Sequence, residues 1–184
     1  MKNYQFAYGK GSVTLPLDKK NVLAELHGND TPPLEDIRTA LTESLEAPVD
    51  SAPLRQRIKP GDKAALVVSD MSRFWMRQDL VIPHIVDYLT GCCGMDEKNI
   101  TIVVANGTHP GGGEAELRRL VTDGVYERIK VENHDCMADD LVYLGTTPHG
   151  TPVKINRSAA EADMVICLGA CTHHVLAGFG GGRK

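Results

Sequence analysis

Two kinds of apolar pattern alternate along this chain, and together they predict its elements. Runs of consecutive apolar residues have the length of buried strands. They lie at residues 64–69, 100–105 and 164–168, with shorter strand candidates at 129–132 and 141–144. Apolar residues that recur every three or four positions indicate amphipathic helices. These stretches are residues 33–46, 79–90, 114–121 and 159–162.

The alternation of buried strands with helices predicts an α/β fold with a mainly parallel, Rossmann-like sheet and flanking helices. Residues 5–17 alternate between polar and apolar side chains and are interrupted by Gly9 and Gly11. That pattern predicts a small N-terminal β element, either a hairpin or an edge strand.

Composition narrows the classes of function. The chain has 184 residues, a net charge of −4 and no run of basic residues, so we expect no nucleic-acid binding. Neither a signal peptide nor a stretch of about 20 apolar residues is present, so we expect a cytoplasmic protein without a membrane span. The five cysteines fit no disulfide framework or zinc motif, which favours free thiols.

Polar or glycine-rich loops directly follow three of the predicted strands, at residues 69–73, 106–110 and 169–184. Ligands of open parallel sheets bind at the carboxyl ends of the strands, so these loops are expected to form one site. In the first loop, Arg73 has the fork geometry that holds a carboxylate, and Asp70 is suited to orient a histidine or a hydroxyl. In the second, His109 carries an imidazole, a side chain suited to acid/base chemistry. Taken singly, Arg73 also fits a surface residue, Asp70 a helix cap, and His109 a loop histidine without a function.

The third loop is the richest in candidate chemistry. His173 and His174 precede a glycine-rich stretch whose backbone N–H groups are suited to hold an anion. A phosphate-binding P-loop is not indicated, because Arg183 stands where that motif has glycine. A flexible linker is the plain alternative. A zinc site made by His109, His173 and His174 is disfavoured, since adjacent residues of a helix point apart.

The three loops together resemble the lactate racemase family. The matching motifs are Asp70-x-Ser72-Arg73, Gly107-Thr108-His109-Pro110, and His174-x-x-Ala177-Gly178-Phe179-x-Gly181-Gly182-Arg183-Lys184. They occur in the family's order, and the similarity covers essentially the whole chain. The resemblance identifies residues 1–184 as the N-terminal catalytic domain, with a C-terminal domain absent from this chain.

This resemblance implies a cofactor and a set of residue roles. Family members use a nickel-pincer nucleotide, a pyridinium mononucleotide whose sulfur-bearing arms hold Ni(II), and one arm is joined to a lysine that matches Lys184. The implied acid/base residues are His109 and His174, and the implied substrate-binding residues are Arg73 and Asp70. The implied cofactor-binding residues are Gly178, Phe179, Gly180, Gly181, Gly182 and Lys184. The histidine that ligates nickel in the family would lie beyond residue 184, so no metal ligand is assigned here.

The implied reaction inverts C2 of a 2-hydroxy acid by reversible hydride transfer, with cofactor-maturation proteins as partners. Where the family has His-Thr-Arg-Pro, this chain has Met71-Ser72-Arg73-Phe74, so another 2-hydroxy acid or a sugar-acid epimer pair fits as well as lactate. Two other functions fit the residues: an α/β hydrolase that binds phosphate or a nucleotide at the glycines, and a non-catalytic nucleotide-binding module.

Overall fold

The computed structural model describes residues 1–29, 31–174, 176 and 178–181 of the chain. It divides into two compact units, Met1–Leu34 and Glu35–Lys184. In the first unit, strands β1 (Lys2–Tyr8) and β2 (Gly11–Leu17) form an antiparallel hairpin. The predicted N-terminal β element is therefore confirmed as a hairpin.

The second unit begins with helices α1 (Ile37–Glu46) and α2 (Leu54–Arg57). The predicted first helix begins at Ile37 and not at residue 33, because the Asp36 carboxylate caps it by accepting hydrogen bonds from the N–H groups of Arg38 and Thr39.

The other elements of the second unit follow in chain order. They are β3 (Ala64–Ser69), α3 (Ile82–Gly91), β4 (Ile100–Ala105), α4 (Glu114–Val121), α5 (Asp123–Tyr126), β5 (Lys130–Asn133), β6 (Val142–Thr146), β7 (Pro152–Ile155), α6 (Arg157–Ala160), β8 (Met164–Cys167), β9 (Thr172–His174) and β10 (Gly178–Gly180). Short 3-10 turns at Met71–Met76 and Gln78–Leu80 join β3 to α3.

Four strands form a parallel sheet in the order β5-β4-β3-β8. The predicted α/β class with a parallel sheet and flanking helices is thus confirmed, and the three long apolar runs of the sequence are β3, β4 and β8. Because all four strands are parallel, their carboxyl ends meet at one edge, and the three loops singled out above leave from that edge.

Side chains at alternate positions of the strands build the core. Leu66 of β3 and Ile102 of β4 are fully buried, and they belong to one apolar cluster with Ile82 and Leu89 of α3 and Leu120 of α4. Burial of such side chains supplies most of the stabilisation of a domain of this size.

Besides the first helix, three predicted elements differ from the observed ones. The predicted helix at 79–90 begins at Ile82, because residues 78–80 form a 3-10 turn and Pro83 is tolerated only in a first helical turn. The helix predicted at 159–162 ends at Ala160. The strand predicted at 141–144 lies outside the parallel sheet, since β6 pairs with β7 in a separate hairpin. No helix in the described part of the chain is long and apolar enough to cross a bilayer.

The buried core gives a test of the packing. Replacing Leu66 by alanine should lower the free energy of unfolding by about 2–5 kcal/mol, because the cavity left in the central strand cannot close. Leu144, which is 61% exposed, is the matched control, and Leu144→Ala should change that free energy by about 0.5 kcal/mol or less. Urea unfolding measures both; equal effects of the two substitutions would contradict this core.

Candidate active site at the carboxyl edge of the sheet

A cleft of about 390 Å³ lies at the carboxyl edge of the sheet, between the ends of β3, β4 and β8. All three loops predicted from the sequence contribute to its wall. Its polar and aromatic lining includes Arg73, Trp75, Thr108, His109, Thr172 and His174. The structure therefore brings three of the four predicted catalytic and substrate-binding residues into one cavity, and the fourth, Asp70, contacts it through His109.

The imidazole of His109 is held by a buried carboxylate. Nδ1 of His109 lies 2.5 Å from Oδ2 of Asp70, and the Asp70 residue is only 6% exposed. Since the carboxylate accepts a hydrogen bond there, the neutral imidazole carries its proton on Nδ1 and keeps Nε2 as its basic nitrogen. About half of the His109 side chain is exposed, so this ring is both fixed and accessible.

Opposing influences act on the Asp70 carboxyl. Burial raises its pKa, but hydrogen bonds from Ser72 Oγ (2.6 Å) and His109, together with the positive charge of Arg73, lower the pKa below the ordinary value of 3.8. The ionised form therefore stabilises the fold above pH 3.8. This contribution is lost as the pH falls through the lowered pKa of the folded state.

The loop that carries His109 is anchored by two side-chain amides at the ends of β4 and β5, one buried and one half-buried. Asn106 is 3% exposed, and its Nδ2 donates to Oδ1 of Asn133 (3.1 Å) and to the His134 carbonyl (3.2 Å). The His109 N–H donates to the Asn106 carbonyl at 3.0 Å. Asn133 also exchanges two hydrogen bonds with the backbone of Gly112. These contacts fix the loop on both sides of the histidine.

Two glycines allow this loop to adopt its path. Gly107 has a φ of +61°, a left-handed conformation that side chains disfavour. A Cβ at Gly111 would lie 3.0 Å from the side chain of Asn133, so a larger residue would displace the anchor. Sequence reasoning found Gly107 but missed Asn106 and Asn133. The signal that identifies them is their position, since each lies at or just beyond the carboxyl end of a strand.

Arg73 and Trp75 belong to the 3-10 turn after β3. Nη1 of Arg73 lies 3.4 Å from Oδ1 of Asp70 and 3.3 Å from Oγ of Ser72, and half of its side chain is exposed. Trp75 lines the same cleft and is 63% exposed. A cation and an aromatic side chain therefore both line this cleft.

His174 reaches the cleft from a hairpin made by β9 and β10. Its Nδ1 accepts a hydrogen bond of 3.1 Å from the Leu176 N–H. A neutral ring with this contact carries its proton on Nε2, the opposite tautomer to that of His109.

Part of the glycine-rich stretch forms a short strand, Gly178–Gly180, in which Gly178 has a left-handed φ of +69°. Gly178–Gly180 pairs with Thr172–His174. The anion nest expected on this stretch stays a prediction, because part of the stretch lies outside the described residues. Gly180 and Gly181 line the cleft. Phe179 is 77% exposed and stacks edge-on against His173, with ring centroids 5.5 Å apart. Gly182 and Lys184 lie outside the described residues.

A metal site built from protein side chains would need a particular arrangement of the described residues. Among residues 1–29, 31–174, 176 and 178–181, no group of three or more His, Cys, Asp or Glu side chains is arranged to hold a metal ion. A zinc site formed by His109, His173 and His174 therefore has no geometric basis in this part of the chain.

The contact between Ser72 and Asp70 generates a test. Ser72→Ala removes the 2.6 Å hydrogen bond, so the pKa of the Asp70 carboxyl should rise toward 3.8. Carboxyl ¹³C NMR titration measures this value directly. Ser44→Ala is the matched control, because the Ser44 hydroxyl donates to its own helix at the Leu41 carbonyl. An unchanged Asp70 titration in Ser72→Ala would contradict the network described here.

Comparison with known proteins matches this chain to one family. Residues 8–184 match the model of the lactate racemase N-terminal domain. Lactate racemase of Thermoanaerobacterium thermosaccharolyticum is 25% identical, and the match covers all of this chain and 43% of that protein. Lactate racemase of Lactiplantibacillus plantarum is 26% identical, and the match covers 96% of this chain and 42% of that protein.

A solved structure shares the fold. The lactate racemase apoprotein from Thermoanaerobacterium thermosaccharolyticum superposes with a TM-score of 0.80 at 23% identity, covering all of this chain and 42% of that one. The chain thus spans about two fifths of the length of these relatives. With the family model matching nearly its whole length, the chain belongs to the lactate racemase N-terminal domain family.

Proposed function

We propose that this domain is the catalytic part of an isomerase that inverts C2 of a 2-hydroxy acid, lactate or a close relative of it. The observation that carries the proposal is the single cleft lined by His109, His174 and Arg73, with Asp70 bound behind His109. Two relatives named lactate racemase support the choice of substrate. Their length supports a second domain in the active protein.

The substrate carboxylate is expected to bind Arg73. Guanidinium groups pair with carboxylates through two parallel hydrogen bonds. Nη1 of Arg73 is already shared with Asp70 and Ser72, which orients the side chain. Neighbouring Trp75 then supplies an apolar surface to the substituent at C3.

His109 is the proposed base for one enantiomer. Its Nε2 takes the proton of the substrate hydroxyl as the C2–H bond breaks, and a 2-keto acid results. Asp70 holds the ring in the tautomer that this step needs and stabilises the imidazolium that forms. The depressed pKa of the Asp70 carboxyl keeps it ionised at neutral pH, so it does not compete for the proton.

His174 is the proposed partner for the other enantiomer, whose hydroxyl points the opposite way. With Nδ1 bound to the Leu176 N–H, the neutral ring donates from Nε2 to a substrate oxygen. To accept a proton on Nε2 it must carry its own on Nδ1, which requires release of the Leu176 contact. The two histidines therefore begin from different tautomers, and their protons re-equilibrate with solvent between turnovers.

A nickel-pincer nucleotide attached at Lys184 is the proposed cofactor, held along the glycine-rich stretch 178–182. Two observations support a fit: the cleft volume of about 390 Å³ lies in the usual range for small-molecule sites, and its wall at Gly180 and Gly181 has no side chains to obstruct a flat ring. When bound, the group supplies an electrophilic acceptor for the C2 hydride, which avoids a carbanion beside a carboxylate. We propose that cofactor-maturation proteins load it and that a histidine beyond residue 184 ligates the nickel.

The histidine roles are tested in a polypeptide of the relatives' full length that contains this domain and has been matured in a host that makes the cofactor. His109→Ala or His174→Ala should lower the racemisation rate by about 10²–10⁴-fold, because each removes an acid/base group. Chiral chromatography of an enantiopure 2-hydroxy acid measures the rate.

His149→Ala, an exposed position in the turn between β6 and β7, is the matched control and should retain full activity. Normal turnover in either active-site variant would show that the histidine is misassigned. A non-catalytic nucleotide-binding module or a hydrolase would give no racemisation even before substitution.

Lys184 is tested by mass spectrometry of the peptide that contains it. A covalent adduct of the cofactor is expected on the wild-type peptide and should be lost in Lys184→Arg, because a guanidinium stays protonated and is a poor acyl acceptor. Unmodified Lys184 in active, nickel-loaded enzyme would refute the attachment.

A further inference from the structure

The two strands that border the cleft separate before β3 ends. β8 pairs with β3 from Ala64 opposite Met164 to Val67 opposite Cys167, and the Leu168 N–H donates to the Val67 carbonyl at 2.8 Å. In a parallel strand, every second residue directs its N–H and C=O to the same neighbour. Ser69 therefore directs both groups toward the side where β8 has already diverged.

A side chain takes the place of the missing strand. Gln78 is 2% exposed; its Oε1 accepts from the Ser69 N–H at 3.1 Å, and its Nε2 donates to the Ser69 carbonyl at 2.5 Å. On the other side of the gap, Sδ of Met76 accepts from the Ala170 N–H at 3.2 Å. Gln78 and Met76, both in the segment after β3, thus bind the backbone groups of Ser69 and Ala170. Without these side chains, those groups would pair with each other or remain unpaired.

This arrangement has a direct consequence for the site. Ser69, Gly169 and Ala170 all line the cleft, so the gap between the strand ends is part of the cavity. Ser69 is also bonded to Asp70, whose carboxylate holds His109. A buried amide that fixes both polar groups of Ser69 fixes the starting point of Asp70.

We infer that Gln78 is a positioning residue for the acid/base pair: by replacing a strand neighbour at Ser69, it keeps the cleft open and sets Asp70 against His109. Gln78 is buried and is not part of the cleft lining, so it acts through Ser69 and Asp70. The effect of Gln78 on the acid/base reaction rests on the proposed function, whereas its effect on the position of Asp70 does not.

The test uses Gln78→Met, which keeps the volume and removes both hydrogen bonds. Carboxyl ¹³C titration of Asp70, without substrate, should report a pKa raised toward 3.8, because the carboxylate is no longer held against Ser72 and His109. In the matured enzyme, kcat should fall by about 10–100-fold, the scale seen when an orienting partner is lost. Gln56→Met, an exposed position in α2, is the control and should change neither value.

Gln78→Glu provides the rescue. Burial favours the neutral acid, which accepts from the Ser69 N–H and donates to its carbonyl as the amide does. This variant should have an Asp70 pKa closer to wild type than Gln78→Met has, and at pH 6 its kcat should also be closer to wild type. If Gln78→Met does not fold, the pH profile of Gln78→Glu decides instead. Ionisation of the glutamate removes its donor to the Ser69 carbonyl, so kcat should fall with rising pH more steeply than in wild type and Gln56→Met, and a profile equal to theirs would overturn the role.

The outcomes separate two failures. An unchanged Asp70 titration in Gln78→Met, or a lowered melting temperature with normal kcat, would overturn the positioning role. If the wild type itself does not racemise 2-hydroxy acids, the proposed function fails. The Asp70 titration then still decides whether Gln78 positions the carboxylate.

Discussion

The hydrogen bond between Asp70 and His109 joins the ends of two neighbouring strands, and the candidate site depends on it. Asp70 follows β3 and His109 follows β4, so the contact exists only because these strands are parallel and in register from Ala64 opposite Ile100 to Ser69 opposite Ala105. A buried carboxylate is costly unless it is paired. Ser72, Arg73 and His109 together meet that requirement, so the ionised group is both stable and oriented.

The neighbouring contacts extend this constraint through the carboxyl edge of the sheet. Asn106 and Asn133 fix the His109 loop from the side of β5, while Gln78 fixes the end of β3 on the opposite side. None of these amides needs to meet a substrate. They hold the histidine and the carboxylate in one geometry before anything binds, and preorganisation of this kind is how a rigid scaffold lowers a reaction barrier.

The sequence predicted much of this arrangement, for identifiable reasons. The apolar runs at 64–69 and 100–105 coincide with β3 and β4, because strands buried on both faces have little sequence freedom. The cluster of His109, His174 and Arg73 followed from the rule that parallel strands present their carboxyl ends together. Gln78 and the pairing of Gly178–Gly180 were not foreseen, since each depends on where β8 and β9 lie in space and on no local periodicity.

The coupling between Asp70 and His109 in catalysis is the most direct measure of the central claim. It is obtained from kcat/KM for racemisation by wild type, Asp70→Asn, His109→Gln and the double variant, in matured enzyme of full length. Because Asp70 is proposed to act through His109, the double variant should be no slower than His109→Gln alone. Losses that multiply in the double variant would mean that the two residues act independently and would contradict the account.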